Sequence, residues 1–159
     1  MIFFSMDFIT DLPLSDGFDA LYVCVDRLTK MVRVAPCCKT HGAEDIAHIF
    51  INNVFRRHGL PVDIVSDRDG RFTSKFWATL CSKLGINRSM SSAFHPQSDG
   101  NTERVNRVLE DMLRHYVNAA QTDWVSWLPI VEFAINNAPH DSTGSSPFEK
   151  KNLPPVAVA

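Results

Sequence analysis

The stretch that decides the fold runs from Val65 to Arg104. It opens with VSDRDGRF (residues 65–72) and closes with HPQSDGNTER (residues 95–104). Asp67 follows a short apolar run that is bounded by Pro61 and a glycine-containing turn, a pattern typical of a β-strand. Glu103 lies at the start of a long periodic helix, with 35 residues between it and Asp67. A strand end and the first turn of a helix can bring two carboxylates together at one rim of a sheet, which is the outline of a metal site.

A third acid, Asp7, lies inside the apolar and aromatic run IFFSMDFI (residues 2–9). This run is too short to span a membrane and favours a buried strand. A buried carboxylate is costly unless it is paired, hydrogen-bonded or bound to a cation. Asp7 is therefore a candidate to share a site with Asp67 and Glu103.

The rest of the pattern predicts a mixed α/β domain. We expect three strands joined by tight turns, the third ending at Pro36, then a helix over 42–58 and a fourth strand at 62–66. A right-handed crossover sets that fourth strand parallel beside the first. A helix over 72–84, a fifth strand over 86–91, a polar loop over 92–101 and helices over 101–121 and 124–137 complete the prediction.

Several short motifs, taken in order, resemble the integrase catalytic core of gypsy-like LTR retrotransposons, which are relatives of retroviral integrases. They are MDFI (6–9), VDRLTK (25–30), VSDRD (65–69), HPQ (95–97), DG (99–100), TERVN (102–106) and SPF (146–148). Each motif alone is weak, but their order and the 35-residue gap are specific together. The resemblance covers about Ser5 to Glu149.

This resemblance implies a ribonuclease H-like fold, with a five-stranded mixed sheet flanked by helices, and a catalytic triad of Asp7, Asp67 and Glu103. Oxygen ligands suit Mg²⁺ or Mn²⁺ rather than zinc, and two such ions can promote in-line displacement at phosphorus. By analogy with the family, Asp7 would bridge both metals, while Asp67 and Glu103 would each hold one. The implied reactions are trimming of a retroelement DNA 3′ end and its joining to target DNA.

Other acids near the triad have simpler interpretations. Asp69 competes with Asp67, but the strand register and the family motif favour Asp67. Asp26 ends the second strand, where a capped turn paired with Arg27 or Lys30 is the more ordinary role. Periodicity alone would make Glu103 a solvated helix residue, and only its position after the loop and its distance from Asp67 make it a ligand candidate.

The DNA contacts implied by the resemblance are Gln97, Asp99, Arg104 and Arg107. The first two belong to the polar loop over 92–101, and a plain connecting loop is the alternative for them. Arginines cluster around the proposed acids, although ordinary solvated helix charge explains Arg107 equally well. Contacts made mainly to phosphates predict weak sequence preference and strong salt dependence.

The chain has 159 residues, of which 45% are hydrophobic and 21% charged, with a formal net charge of −2. These values fit one globular domain but give no overall basic footprint of a DNA binder. The four cysteines include no CxxC pair and are interpreted as reduced thiols, so we expect an intracellular protein. The predicted division is a catalytic core over 1–149 and a loose tail over 150–159.

The resemblance also implies flanking zinc-binding and DNA- or chromatin-binding modules, so a fragment, a truncated copy or a domesticated gene is expected. It further implies a homo-oligomer without membrane contact and a nuclear location after cytoplasmic assembly within a retroelement polyprotein. Two alternatives stay open. One is a relic that binds nucleic acid or protein without catalysis, and the other is a ribonuclease H-type nuclease, which fits the loop and the spacing poorly.

Overall fold

A computed structural model of the chain describes residues 2–90 and 96–152, without the side chains of residues 96–101. The strands in these ranges are β1 (Phe3–Ile9), β2 (Ala20–Asp26), β3 (Val32–Cys37), β4 (Asp63–Ser66) and β5 (Asn87–Met90). The helices are α1 (Ala43–Phe50), α2 (Arg56–His58), α3 (Gly70–Thr73), α4 (Lys75–Leu84), α5 (Pro96–Tyr116), α6 (Trp124–Asn137) and α7 (Pro147–Asn152), and a π-helical segment over Ile51–Phe55 joins α1 to α2. Across these ranges, no helix combines the length and apolar character that crossing a bilayer requires.

The strands form one mixed sheet in the order β3-β2-β1-β4-β5. β1 pairs antiparallel with β2, and β2 pairs antiparallel with β3. β1 pairs parallel with β4, and β4 pairs parallel with β5. The five-stranded mixed sheet and the parallel placement of the fourth strand beside the first are both confirmed.

Helices cover both faces of the sheet because successive strand residues point to opposite sides. On one face Phe4, Met6, Tyr22 and Cys24 pack with residues of α1 and α4. On the other face Ile9, Leu21, Val23 and Val25 pack with residues of α5 and α6. β2 is buried along its whole length, so its two sets of alternating side chains hold the two helical layers together.

Helix α5 differs from the prediction at both ends. It begins at Pro96 rather than at residue 101, so the polar segment expected to be a loop is helical from Pro96 onward, while residues 91–95 lie outside the described residues. Proline is well tolerated in the first turn of a helix, where its missing N–H needs no partner. The helix ends at Tyr116 rather than Gln121, because the backbone N–H of Asn118 donates to Asp123 Oδ1 at 2.9 Å instead of continuing the helix.

Other boundaries differ as well. The helix predicted over 72–84 is divided at Ser74 into α3 and α4, because the Ser74 side chain accepts from Trp77 N and caps α4. β3 continues through Pro36 to Cys37, and the proline is tolerated because β3 is an edge strand, where a missing N–H can face away from the ladder. The tail predicted to be loose begins as helix, since α7 extends to Asn152. Residues 153–159 lie outside the described residues.

Helix α6 closes the open edge of β3 with side chains instead of another strand. The buried Asn136 accepts from Val32 N at 2.8 Å and donates to Val32 O at 2.8 Å. Glu132 accepts from Val34 N at 3.0 Å and forms a 2.7 Å salt bridge with Arg33. These bonds satisfy backbone groups that an edge strand would otherwise present to other chains.

Candidate active site

The register of the parallel pair brings two of the predicted acids to neighbouring strand positions. Met6 of β1 pairs with Ser66 of β4, and Asp7 and Asp67 are the next residues along each chain. Neighbouring parallel strands are about 4.8 Å apart, so these two residues share the carboxyl-terminal edge of the parallel pair. Asp7 is half-buried and Asp67 is exposed.

The Asp7 carboxylate accepts hydrogen bonds from Phe8 and Asn106 within the described part of the chain. Its Oδ1 accepts from the backbone N–H of Phe8 at 2.8 Å, and its Oδ2 accepts from Asn106 Nδ2 at 2.9 Å. A carboxylate only accepts hydrogen bonds, so the amide nitrogen of Asn106 is the atom that must face it. This bond joins residues 99 positions apart and ties α5 directly to the predicted catalytic strand.

Asn106 was not among the predicted site residues, although it belongs to the TERVN motif. The available signal was its spacing, because residues three apart lie on one face of a helix and Asn106 lies three residues after Glu103. The buried Oδ1 of Asn106 has no hydrogen-bond partner in the described part of the chain. Such an orphaned acceptor in a native interior calls for a water, an ion or a functional role.

Glu103 lies on α5, one turn before Asn106, and its side chain is exposed. Because residues three apart share one side of a helix, the contact of Asn106 with Asp7 predicts that Glu103 lies on the side of α5 that approaches Asp7. Within residues 2–90 and 102–152, no three His, Cys, Asp or Glu side chains are grouped closely enough to hold one metal ion. Asp7 and Asp67 thus share one sheet edge, whereas the convergence of Glu103 with them stays a prediction.

Asp69 has a structural role that distinguishes it from Asp67. Its carboxylate caps α3 by accepting from Arg71 N at 2.9 Å and binds the Arg71 guanidinium through both oxygens at 2.8 Å each. These bonds to Arg71, opposed by partial burial, hold the pKa of Asp69 below its usual value. Because both Asp69 oxygens are committed to Arg71, the interpretation of Asp67 as the site residue is the stronger one.

The Asp69–Arg71 pair also contacts β1 next to Asp7. The Arg71 guanidinium lies 3.8 Å from the centre of the Phe8 ring, a cation–π contact. Asp67 Oδ1 accepts from the backbone N–H of Asp69 at 3.0 Å. The segment that follows β4 therefore contacts β1 at Phe8, the residue after Asp7.

Asp26 is explained by turn formation, as the sequence favoured. Its Oδ1 accepts from Leu28 N at 2.9 Å, and its Oδ2 accepts from Thr29 Oγ1 at 2.9 Å. Both oxygens thus stabilise the β2–β3 turn. The capped turn is confirmed, with Leu28 and Thr29 as the partners of the carboxylate, and the pairing with Arg27 or Lys30 stays a prediction.

The predicted DNA contacts fall into two groups. Arg104 and Arg107 are exposed on α5, and Arg104 forms an ion pair with Asp141. The side chains of Gln97 and Asp99 lie outside the described residues, as does His95 of the HPQ motif. Their roles stay predictions.

The donor set suits a hard divalent cation. Carboxylate oxygens are the ligands that Mg²⁺ and Mn²⁺ prefer, and soft ions would need thiolates. Cys24 and Cys81 are buried in the core, and burial raises the pKa of each thiol, which disfavours the thiolate form. The orphaned Asn106 Oδ1 adds an oxygen beside Asp7 that a hydrated cation could satisfy. The residues present therefore fit Mg²⁺ or Mn²⁺.

Comparison with known families decides the membership of this chain. A family model described as the integrase core domain matches residues 3–96. The chain belongs to the integrase core domain family. Relatives of this integrase core include the transposon Tf2-3 and Tf2-4 polyproteins of Schizosaccharomyces pombe, each 41% identical over 145 residues. Those residues are 91% of this chain and 11% of each polyprotein, so the chain spans about a tenth of the length of these relatives.

Solved structures share the fold of this integrase core. A chain of the simian T-cell lymphotropic virus intasome, solved with a PP2A regulatory subunit, superposes with a TM-score of 0.82 at 18% identity, over 97% of this chain and 55% of that chain. The HTLV-2 integrase catalytic core domain, solved with magnesium in a trimeric form, gives 0.73 at 17% identity over 92% and 93%. The BIV integrase catalytic core domain gives 0.71 at 21% identity over 93% and 91%. These likenesses show the fold, which is the ribonuclease H-like α/β fold of retroviral integrase cores.

Proposed function

We propose that this chain is the catalytic core of a gypsy-like retrotransposon integrase, a polynucleotidyl transferase that trims retroelement DNA 3′ ends and joins them to target DNA. The observation that carries the proposal is the arrangement around Asp7. Asp67 occupies the adjacent parallel-strand position, and Asn106 ties the helix that bears Glu103 to the Asp7 carboxylate. Family membership supports DNA integration as the general process.

In this proposal Asp7, Asp67 and Glu103 hold the divalent cations. Bound Mg²⁺ or Mn²⁺ would supply activation of the attacking oxygen and stabilisation of the departing one. The chain's own residues prepare the site. Asn106 and the Phe8 N–H orient Asp7, while the Asp69–Arg71 pair fixes the segment that carries Asp67.

The proposed partners are retroelement DNA ends and target DNA, bound in a homo-oligomer, and the proposed location is nuclear after assembly within a retroelement polyprotein. Arg104 and Arg107 are the proposed phosphate contacts in the described part of α5, with Gln97 and Asp99 proposed from sequence. Binding that depends on phosphates predicts that affinity falls steeply with salt. DNA binding that is independent of salt would contradict the proposal.

The test is Mn²⁺-dependent strand transfer, together with its reversal on a branched DNA substrate. We expect Glu103→Gln to lower the rate by more than about 100-fold, because loss of a direct ligand should exceed the 10- to 100-fold effect of losing a residue that only orients one. Glu110→Gln is the matched control, since Glu110 lies two turns later on α5 and makes a 3.9 Å ion pair with Arg114.

Activity that is lost in Glu103→Gln and retained in Glu110→Gln would support the assignment. Equal activity of wild type and Glu103→Gln would refute the role of Glu103. If folded wild-type protein binds DNA yet neither cuts nor joins it under any divalent metal, the binding relic becomes the better description.

A further inference from the structure

A cleft of about 150 Å³ lies beside helix α5 and includes Arg104, the residue after Glu103. Its walls come from the β2–β3 turn, from α5 and from the segment after α6. Val32, Val105 and Ile135 contribute apolar surface, while Lys30, Arg104 and His140 contribute nitrogen-bearing side chains. The cleft therefore combines an apolar surface with two cationic groups from separate elements, Lys30 and Arg104, and with the carboxylate of Asp141.

The charge balance of this cleft is positive. Among the described residues, no carboxylate lies within salt-bridge distance of the Lys30 ammonium, and Asp141 is the acid paired with Arg104. Burial lowers the pKa of His140, and the charges of Lys30 and Arg104 lower it further against a smaller opposing effect of Asp141. Lys30 and Arg104 thus place positive charge near His140.

The backbone at Lys30 is unusual. Its φ angle is 65°, a left-handed conformation in which glycine and asparagine are favoured over other residues. A lysine at such a position is less favourable for the turn than either alternative. An unfavourable backbone conformation of this kind directs attention to a function of the side chain, and here that side chain borders the cleft.

The Arg104–Asp141 pair does not block the cleft. Its two side chains are 59% and 80% exposed, and exposed ion pairs of this kind are weak. A phosphate matches the planar guanidinium of arginine and can form two parallel hydrogen bonds with it. Arg104 can therefore exchange Asp141 for a phosphate at little cost.

We propose that this cleft binds a phosphate of the DNA backbone, with Lys30 and Arg104 as its two cationic ligands. The proposal rests on the proposed function, because Arg104 directly follows Glu103 and the cleft would position DNA that reaches the triad. It adds Lys30, which belongs to a turn remote in sequence from every predicted site residue. Asp141 then acts as a competing anion that DNA must displace.

The test measures binding of a short fluorescein-labelled DNA duplex to the whole chain by anisotropy over a salt series. Lys30→Asn removes the charge and suits the left-handed backbone, so we expect thermal stability to be unchanged or raised. One lost phosphate contact lowers the slope of log K against log salt by about 0.9. At 0.1 M salt this slope corresponds to about an eightfold loss of affinity.

Two further variants complete the design. Asp141→Asn removes the competing anion, so we expect tighter DNA binding and a steeper salt dependence. Lys83→Gln is the control for net charge, because Lys83 is exposed in the last turn of α4 and should leave the salt slope unchanged.

The proposal is supported if Lys30→Asn weakens DNA binding and lowers the salt slope, Asp141→Asn does the opposite, and Lys83→Gln has the salt slope of wild type. Should Lys30→Asn and wild type have the same salt slope while Arg107→Gln lowers it, the cleft is wrong and the proposed function stands. A wild-type protein that binds no DNA at low salt would overturn both.

Discussion

Replacing Asn106 by alanine should separate metal binding from fold stability. The substitution removes a hydrogen bond to the Asp7 carboxylate, and a bond to a charged group is worth about 1.5–3 kcal/mol. It also removes the buried Oδ1 that has no partner, and burying such a group costs about 1–3 kcal/mol. The two effects oppose each other, so we expect the free energy of unfolding to change by less than about 2 kcal/mol.

Metal affinity should respond far more strongly to Asn106→Ala. Residues that orient a metal ligand typically contribute 10- to 100-fold in affinity, and Asn106 is the side chain seen to hold Asp7 Oδ2. Calorimetric titration with Mn²⁺ and denaturant unfolding without metal measure the two quantities. Asn137→Ala is a suitable control, since Asn137 is exposed at the end of α6.

Two results would refute this reasoning about Asn106. One is unchanged Mn²⁺ affinity, which would mean that Asp7 needs no orientation from α5. The other is a loss of unfolding free energy beyond about 3 kcal/mol, the upper value of a hydrogen bond to a charged group. In that case the amide would act mainly by docking the helix.

Two further predictions concern the packing around β3. Asn136→Ala leaves the N–H and C=O of Val32 buried without the Asn136 amide, at a cost of about 1–3 kcal/mol each. Denaturant unfolding should therefore show a loss of about 2–6 kcal/mol in the free energy of unfolding, against less than about 0.5 kcal/mol for the control Asn137→Ala. Similar losses in both variants would contradict this prediction. Burial, together with nearby cationic charges, lowers the pKa of His58 to about 4, whereas the pKa of an unfolded histidine is near 6.5. Between these two pH values the unfolded state binds more protons than the folded state. The free energy of unfolding therefore falls as the pH drops from 6.5 to 4. The half-exposed ring limits the effect to roughly 1–2 kcal/mol, and His58→Gln, which keeps an acceptor for Arg33 Nε, should flatten the pH dependence of unfolding measured from pH 7 to 4.

The parts of the fold that could be predicted are those fixed by local pattern. Helix α6 begins at Trp124 and ends at Asn137 as expected. Its apolar residues recur at helical spacing, and Trp124, Leu128 and Val131 are buried, whereas Phe133 is exposed. The parallel pairing of β1 and β4 followed from the handedness of the crossover. These features depend on sequence neighbours or on general chirality, and both can be read without knowing tertiary contacts.

The boundaries that could not be predicted depend on distant partners or on competing local bonds. The start of α5 at Pro96 was missed because a polar segment containing proline and glycine has no apolar period. Its end at Tyr116 is decided by the bond from Asn118 to Asp123, which competes with the helix. The extension of β3 through Pro36 required knowing that the strand lies at the sheet edge.

The same distinction applies to the candidate site. Asp7 stood out because a carboxylate in an apolar strand needs a partner, and Asp67 because it follows a strand. Asn106 is neither a charged residue in an apolar strand nor a residue at a strand end. Nothing in the sequence around it indicates that its partner lies 99 residues away. Only the tertiary structure shows that the Asn106 amide is a hydrogen-bond partner of the Asp7 carboxylate.

The position of β1 explains why a site forms around Asp7 rather than around the other acids. β1 is the central strand, and it is the one that pairs antiparallel on one side and parallel on the other. Parallel strands bring their carboxyl ends to one edge, so Asp67 lies beside Asp7. β2 runs antiparallel to β1, so Asp26 pairs with Phe4, toward the other edge of the sheet. Helix α5 then crosses the face of β1 and holds the Asp7 carboxylate through Asn106. Asp7 and Asp67 thus come from distant segments that the pairing of β1 with β4 brings to one edge of the sheet, and the bond from Asn106 holds the helix that carries Glu103 against the same strand.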